Sequence, residues 1–559
     1  MPPGVASRDP QPLETAPLPS ETCAMSNPYH FLPGAGGRPV AVVGSGPIGL
    51  MTALGLAHYG IPVQVFEEDG RLSLEIKAGT ILTRTLEVLR RYGAVDRVLS
   101  AALRVDEIGE IDRKTQKSQF PVQMHALGEE TRFPFVINIP QHDLEPVLAA
   151  ELAERRAAAL NLSHKLVGFE DKGDHVVLDL QTPDGNKRVE CCWMLACDGG
   201  RSSVRSKLGI EAEGYSLDEK YTLVDLKLDL DVGNPRDYPY LAYFSDPEQW
   251  MILVRHPQCW RFLYPLRAGQ ESPSDGELLE KSLSFIGKVD KVEVINKVIY
   301  SVHHRVATRW RSGRVLLMGD AAHLVTPMWA LGISTGALDV SNLPWRLNWV
   351  LRGWADENLI DGYDREQRPM AVHGSGQMAE AARLYMARRA EKAIAMSDNN
   401  WANAYTRGLL GQRLDLDGGG TGSLIKSSTR PPIERGDRLP DHPLHGSDGR
   451  PLRAHDLCQD RFVALYFTDA RRRPPLPQSD SPALIHRLVS RWDAPLDSGL
   501  RDRAVLDPGD AFLKRLGVPP NTMVLVRPDE HVAAIVPMQS ADATALYASI
   551  TGRQPPQAH

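Results

Sequence analysis

Gly44-Ser45-Gly46-Pro47-Ile48-Gly49 follows a short apolar run, VAVV at 40–43, and opens a segment with helical spacing at 48–59. In a turn of this kind the first glycine permits a tight reversal and the second lets a phosphate approach the backbone. The third allows the helix to pack closely on the strand. The start of the helix adds free N–H groups and the positive end of its dipole. A second apolar run, VQVF at 63–66, ends in Glu67 and Glu68, where a ribose hydroxyl would need an acceptor. Strand, turn, helix, strand and acid in that order point to a dinucleotide site, although this motif does not separate FAD from NAD. Much later, VLLMGDAAHLVTPMWALGISTGALD at 315–339 ends another apolar run in a lone carboxylate, Asp320, and then starts a helix. A buried carboxylate is costly without a partner, so Asp320 asks for one.

The elements that must carry these residues follow from pattern. The βαβ opening predicts an α/β fold with a parallel, Rossmann-like sheet. From 218 to 266 the pattern changes to alternating strands, as in YTLVDLKLDL and WRFLYPL, which predicts an inserted, mainly antiparallel sheet drawn from about 104–135 and 212–300. The runs LPWRLNWVLRG and GQMAEAARLYMARRAEKAIAM predict long amphipathic helices. The Gly-, Ser- and Pro-rich stretch 414–438 reads as a linker between a first domain, 39–413, and a second, 439–559, with strands near 461–467 and 522–526. Residues 1–38 lack an apolar core, so they read as a disordered tail rather than a signal peptide, and Met25 is an alternative start.

Composition narrows the classes. A hydrophobic share of 42%, a charged share of 24% and a net charge of −6 are those of a globular protein without the basic excess of a nucleic-acid binder. No apolar run approaches the ~20 residues that span a bilayer. Six cysteines show neither CxxC nor metal-ligand spacing, which predicts reduced thiols, a cytoplasmic setting and no metal.

GSGPIG, then CDGGRSSVR at 197–205, then GDAAHLVTPMWALGISTGALDVSNLPWRL from 319 stand in an order that resembles the single-component FAD-dependent aromatic hydroxylases, in the phenol hydroxylase and 3-(3-hydroxyphenyl)propionate hydroxylase branch. The resemblance covers 39–408. LVRPDEHVAAI at 525–535 is similar to the thioredoxin-like C-terminal domain of that branch, which here also lacks the redox cysteine pair. The likeness implies FAD, with NADH or NADPH as co-substrate. It implies that Asp320 accepts a hydrogen bond from the FAD ribityl chain, a polyol that supplies the missing partner. It gives cofactor contacts to Gly44, Gly46, Pro47, Gly49, Glu67, Glu68, Arg84, Gln141, Asp198, Pro327, Gly332, Ile333 and Ser334. Lys77 stands where the family has the arginine of an Arg-Ala-Gly triplet, and Ser334 where it has an asparagine. The dipole of the helix beginning near Gly332 would favour negative charge on the reduced flavin ring.

Around that ring the likeness places Met328 and Trp329 against the substrate, and Pro327 fixes the local geometry without an N–H of its own. Trp260, Phe262 and Tyr264 alternate onto one face, either core or pocket roof; core is the better reading, with Tyr264 kept as a substrate candidate. His256 and Tyr243 are candidates to reach a phenolic oxygen, while His323 reads as structural. The expected activity is hydroxylation of a phenolic ring through a flavin hydroperoxide, by a homodimer whose partners are a small aromatic substrate and O₂. The alternatives are a flavin monooxygenase for a polyketide or nitrogen heterocycle, a flavoprotein that no longer hydroxylates, and a plain NAD dehydrogenase.

Overall fold

The computed structural model describes residues 32–557, except 75–78, 231–237, 247–248, 267–268, 271–272, 287–288, 290, 388–412, 417–431, 459, 469–475, 478–479 and 492–497. Lys77 and most of the Gly-rich stretch lie outside the described residues. The runs VAVV and VQVF become strands Val40–Val43 and Val63–Phe66, joined by helix Pro47–His58. Their sheet runs Arg311–Ser312, Val315–Leu317, Trp193–Ala196, Val40–Val43, Val63–Phe66, Ala158–Asn161, and every pairing is parallel except the first. Strands without alternation suit this place, because both faces of a parallel sheet are covered.

Helix Pro47–His58 has proline in its first turn, where a missing N–H costs nothing. Helix Leu331–Leu351 packs against it and is buried nearly all round, with Trp345, Arg346 and Trp349 among its enclosed side chains. An amphipathic helix was expected there. It is instead a wedge between two sheets, with the Trp345 ring 5.7 Å and the Trp349 ring 6.0 Å from Phe462 of the C-terminal sheet.

An eight-stranded sheet runs His323–Leu324, Val292–Ala307, Ala212–Leu228, Trp260–Pro265, Met251–Arg255, Leu241–Phe244, Glu107–Ile111, Ser118–Gln123. All its pairings are antiparallel apart from Leu241–Phe244 with Glu107–Ile111. Its strands have two buried faces. Trp260, Phe262 and Tyr264 are fully enclosed on one, together with Phe285 and Ile286 of helix Asp275–Ile286. Tyr221, Leu223, Tyr243 and Ile252 cluster on the other with Met328 and Trp329.

The C-terminal sheet has seven strands, with Phe462–Phe467 inside it between parallel Leu484–Ser490 and antiparallel Thr522–Val526. The described ends of the expected linker are anchored. Leu414 N–H donates to Gly436 C=O at 3.0 Å, Gly436 N–H to Val532 C=O at 2.8 Å, and Arg438 is buried. Residues 32–38 of the expected tail also pack, with Leu32 and Ala35 in the core.

The turn Arg527–His531 is the charged surprise of the fold. Glu530 receives Arg84 Nη1 at 2.5 Å and Arg91 Nε at 3.1 Å. Asp529 accepts from the Trp345 indole at 3.1 Å and pairs with Arg527, which also reaches Glu366 at 2.9 Å. Arg438 closes the network on Glu87. Every one of these groups is buried, and buried charges survive only when so paired.

Candidate active site

Strands Val63–Phe66, Val40–Val43, Trp193–Ala196 and Val315–Leu317 are parallel neighbours, so the residues just beyond their C-terminal ends emerge along one edge of the sheet. Glu67, Gly44, Asp198 and Gly319-Asp320 stand there. The ladder continues one step into this edge: Gly44 N–H donates to Phe66 C=O, Cys197 N–H to Val43 C=O and Met318 N–H to Ala196 C=O, at 2.8, 2.8 and 2.9 Å. In an open α/β sheet this carboxyl edge is where ligands bind.

The three glycines divide their tasks as their spacing predicts. Gly44 has φ +101°, and a Cβ there would stand 2.4 Å from the Cys197 carbonyl oxygen. A Cβ on Gly49 would stand 2.1 Å from the Gly44 carbonyl. Gly46, the residue before the helix, has nothing within 4 Å of that position, and neither have Gly199 and Gly332. The sites that meet protein are sealed and those on the edge are open. Glu67 accepts from Ser45 N–H and Ser45 Oγ, both at 2.8 Å, so it braces the glycine turn from the next strand. A carboxylate has about four acceptor positions, which leaves capacity for a hydroxyl. Glu68 points outward to Lys165 at 2.9 Å.

Asp320 was expected to be a buried carboxylate, and the structure corrects this: Asp320 is exposed, in a short turn Gly319–Ala321. The buried acid beside it is Asp339. Its Oδ2 accepts from Gly319 N–H at 2.9 Å and lies 2.8 Å from His323 Nε2. Burial alone would push the His323 pKa down, but the Asp339 charge and hydrogen bond, with Asp320 further off, hold it above the ordinary histidine value. Arg205 clamps the same turn, donating from Nη1 to Ala321 C=O at 2.8 Å and from Nη2 to Gly200 C=O at 2.9 Å. Asp198 Oδ2 accepts from Val204 N–H at 3.1 Å, while its buried Oδ1 has no partner among the described residues.

Pro327 leads into Met328–Ala330, where Trp329 and Ala330 have φ +56° and +55°. Two consecutive non-glycine residues in this region store about 1–3 kcal/mol each, a cost typical of ligand sites. Helix Leu331–Leu351 then begins, with Gly332, Ile333 and Ser334 half-exposed in its first turn. Thr85 Oγ1 lies 3.4 Å from Ser334 Oγ.

The structure brings Tyr243, Met328 and Trp329 into one apolar cluster, as the candidates require. Tyr221, not among the sequence candidates, belongs there too. It packs edge-on to Trp250 at 5.2 Å, and its buried hydroxyl has no hydrogen-bond partner among the described residues. The alternation that put Tyr264 on one face puts Tyr221 on the other, and that was the available signal. Tyr264 does not join this cluster: its hydroxyl bonds Leu278 C=O at 3.1 Å and Ser282 on the opposite face, and burial raises its pKa to about 12. His256 is fully enclosed elsewhere, against Gly79 and Arg261. Burial and the Arg261 charge drive its pKa well below the usual histidine value, so the ring is neutral. Arg84, expected along the cofactor, is instead bound into the buried network by Glu87 and Glu530. Gln141 starts helix Gln141–Ala153 and donates to Glu145 at 2.7 Å. Among the described residues no cluster of His, Cys, Asp and Glu could hold a metal ion.

Residues 38–374 match the FAD binding domain family. The chain is 28% identical over 362 residues to para-nitrophenol 4-monooxygenase of Pseudomonas sp. (strain WBC-3), covering 62% of this chain and 87% of the relative. It is 30% identical over 338 residues to the 3-(3-hydroxy-phenyl)propionate/3-hydroxycinnamic acid hydroxylase of Escherichia coli (strain K12), covering 59% of each. The alignment thus spans less than two thirds of the propionate hydroxylases. Among solved structures, p-nitrophenol 4-monooxygenase from Pseudomonas putida DLL-E4 superposes with a TM-score of 0.61 at 27% identity, covering 67% of this chain and 96% of that one. Aklavinone-11 hydroxylase, solved with FAD and aklavinone, superposes over 92% of this chain and 99% of its own with a TM-score of 0.77 at 24% identity, a likeness of fold. The chain belongs to the FAD-binding-domain family, within the branch of flavin-dependent aromatic hydroxylases.

Proposed function

We propose that this protein is an FAD- and NAD(P)H-dependent monooxygenase that hydroxylates a phenolic ring. One observation carries the reading: the glycine turn, Glu67, Asp198 and Asp320 line a single sheet edge, and the apolar cluster that includes Met328 and Trp329 packs on a second sheet. The residues fit FAD. Open Gly46 at the helix start would take the pyrophosphate, Glu67 a ribose hydroxyl, Asp320 the ribityl chain, and the Gly332–Ser334 turn the ring. FAD, when bound, supplies the redox chemistry and the activation of O₂.

The chain's own part is to bind, orient and keep water out. Trp329, Met328, Tyr243 and Trp250 form a dry wall, which matters because water entry wastes the oxidant. The unpartnered Tyr221 hydroxyl is placed to exchange a hydrogen bond with a phenolic oxygen, a group it would otherwise lack at a cost of about 1–3 kcal/mol. Tyr243 lines the same cluster, whereas His256, enclosed elsewhere with its pKa driven down, is a poor base and takes no part there. The eight-stranded sheet is read as the substrate-binding insertion of a 39–413 domain, and the C-terminal sheet as a thioredoxin-like domain without a dithiol. A homodimer in the cytoplasm is the matching assembly and setting, which sedimentation and fractionation would check.

Nitrophenols, hydroxyphenylpropionates, polycyclic phenols and nitrogen heterocycles should be screened for stimulation of NAD(P)H oxidation, with ¹⁸O₂ as oxidant. A phenol that accelerates oxidation and leaves with one labelled oxygen is the expected result. Rapid oxidation that no phenol changes, with peroxide as sole product, would overturn the proposal.

The glycines allow a sharper check. Gly49→Ala should destabilise the fold outright, because its methyl meets backbone at 2.1 Å. Gly46→Ala should leave the unfolding free energy from urea titration within about 0.5 kcal/mol of wild type while weakening FAD binding at least severalfold. Equal effects of the two on stability would count against the roles assigned.

A further inference from the structure

We propose that Asp339 and His323 position Asp320 for the cofactor, and that they do so as a charged pair. The inference rests on the reading that Asp320 meets the FAD ribityl chain. Asp320 is exposed, and its place on the sheet edge is set by the backbone on either side of it. Gly319 N–H is held by Asp339, Ala321 C=O by Arg205, and His323, three residues on, by Asp339 again. Gly319 has φ +57° and lies against Ile48, with 3.1 Å to a built Cβ, so the turn has little room to relax. One enclosed carboxylate therefore grips the turn on both sides of Asp320.

A carboxylate in such a place needs a full counter-charge. The groups facing His323 are Asp339 from the long helix, Asp320 from its own turn, His304 from strand Val292–Ala307 and, behind Asp339, Tyr363 and Cys197. Burial keeps Tyr363 and Cys197 protonated and lowers the His304 pKa, so those three are neutral near pH 7. Among these groups only His323, whose pKa Asp339 raises against burial, can bring a positive charge to that carboxylate. The ring also lies 5.1 Å from the Trp310 ring, which fixes its plane. A histidine whose folded pKa is raised holds its pair below the ordinary value and loses it as pH rises through the raised one.

The test is FAD binding to the full chain stripped of cofactor, followed by flavin fluorescence between about pH 6 and pH 9. Wild-type affinity should hold at the acid end and fall by about tenfold toward the alkaline end, the equivalent of one pKa unit of coupling. His323→Gln should already be weakened by that factor at the acid end and show no slope. Asp339→Asn should resemble it; if Asp339→Asn does not fold, His323→Gln decides. A His323→Gln protein with wild-type affinity and wild-type slope overturns the proposal. If wild type and Asp320→Ala bind FAD equally at the acid end, the fault lies in the reading of Asp320 and not in the pair.

Discussion

Replacing Glu530 with alanine should destabilise the protein by about 3–5 kcal/mol, the usual cost of removing one partner from a buried ion pair. Glu530 is enclosed and receives both Arg84 and Arg91. Its loss strands the buried Arg91 guanidinium and leaves Arg84 with Glu87 as its remaining carboxylate. The shift in urea midpoint measures this, and the double variant Glu530→Ala/Arg91→Leu should recover part of the loss. A change below about 1 kcal/mol would mean the network is ornamental. The same network sets the acid limit of the fold. Burial would raise the carboxyl pKa of Glu87, but Arg438 and its neighbours bring it down to about 2, and Asp529 and Glu530 are held well below their usual values against the same burial. Depressed carboxylates contribute stability that is complete above their unfolded pKa of about 4 and is lost as pH falls through the folded one. Unfolding should therefore begin below about pH 4, and Glu530→Ala should flatten that acid limb.

Asp320→Ala should weaken FAD binding by about 1.5–3 kcal/mol, roughly ten- to hundredfold, the range for a hydrogen bond to a charged group. Because Asp320 is exposed, the fold should lose almost nothing. Asp320→Asn, which keeps an acceptor oxygen without the charge, should fall between. Dissociation constants from flavin fluorescence, set beside urea midpoints, separate the two effects. Full retention of FAD by Asp320→Ala would remove the central contact of the proposed site.

The glycine turn and its flanking strands were legible because they depend on local rules: a φ only glycine favours at Gly44, and close approach at Gly49. The strands 40–43 and 63–66 match the expected runs residue for residue. Contacts between distant segments were not legible. Arg84 reads as a helix residue in a familiar segment, and nothing nearby predicts a carboxylate from position 530. The same holds for Asp320 and Asp339. Sequence singles out Asp320 as the buried acid, and only the fold shows that Asp339 is the enclosed one and Asp320 faces out. The Gly-rich stretch looked like a tether, yet its described ends are pinned by Arg438 and Leu414 through partners far along the chain.

That Arg84 and Glu530 are 446 residues apart has a consequence for biosynthesis. At roughly 5–20 residues per second, a ribosome needs about 20–90 s to pass from one to the other. Throughout that interval Arg84 has only Glu87 of its own helix, and Arg91 lacks its acid altogether. A chain truncated before position 530 would leave Arg91 buried without its acid.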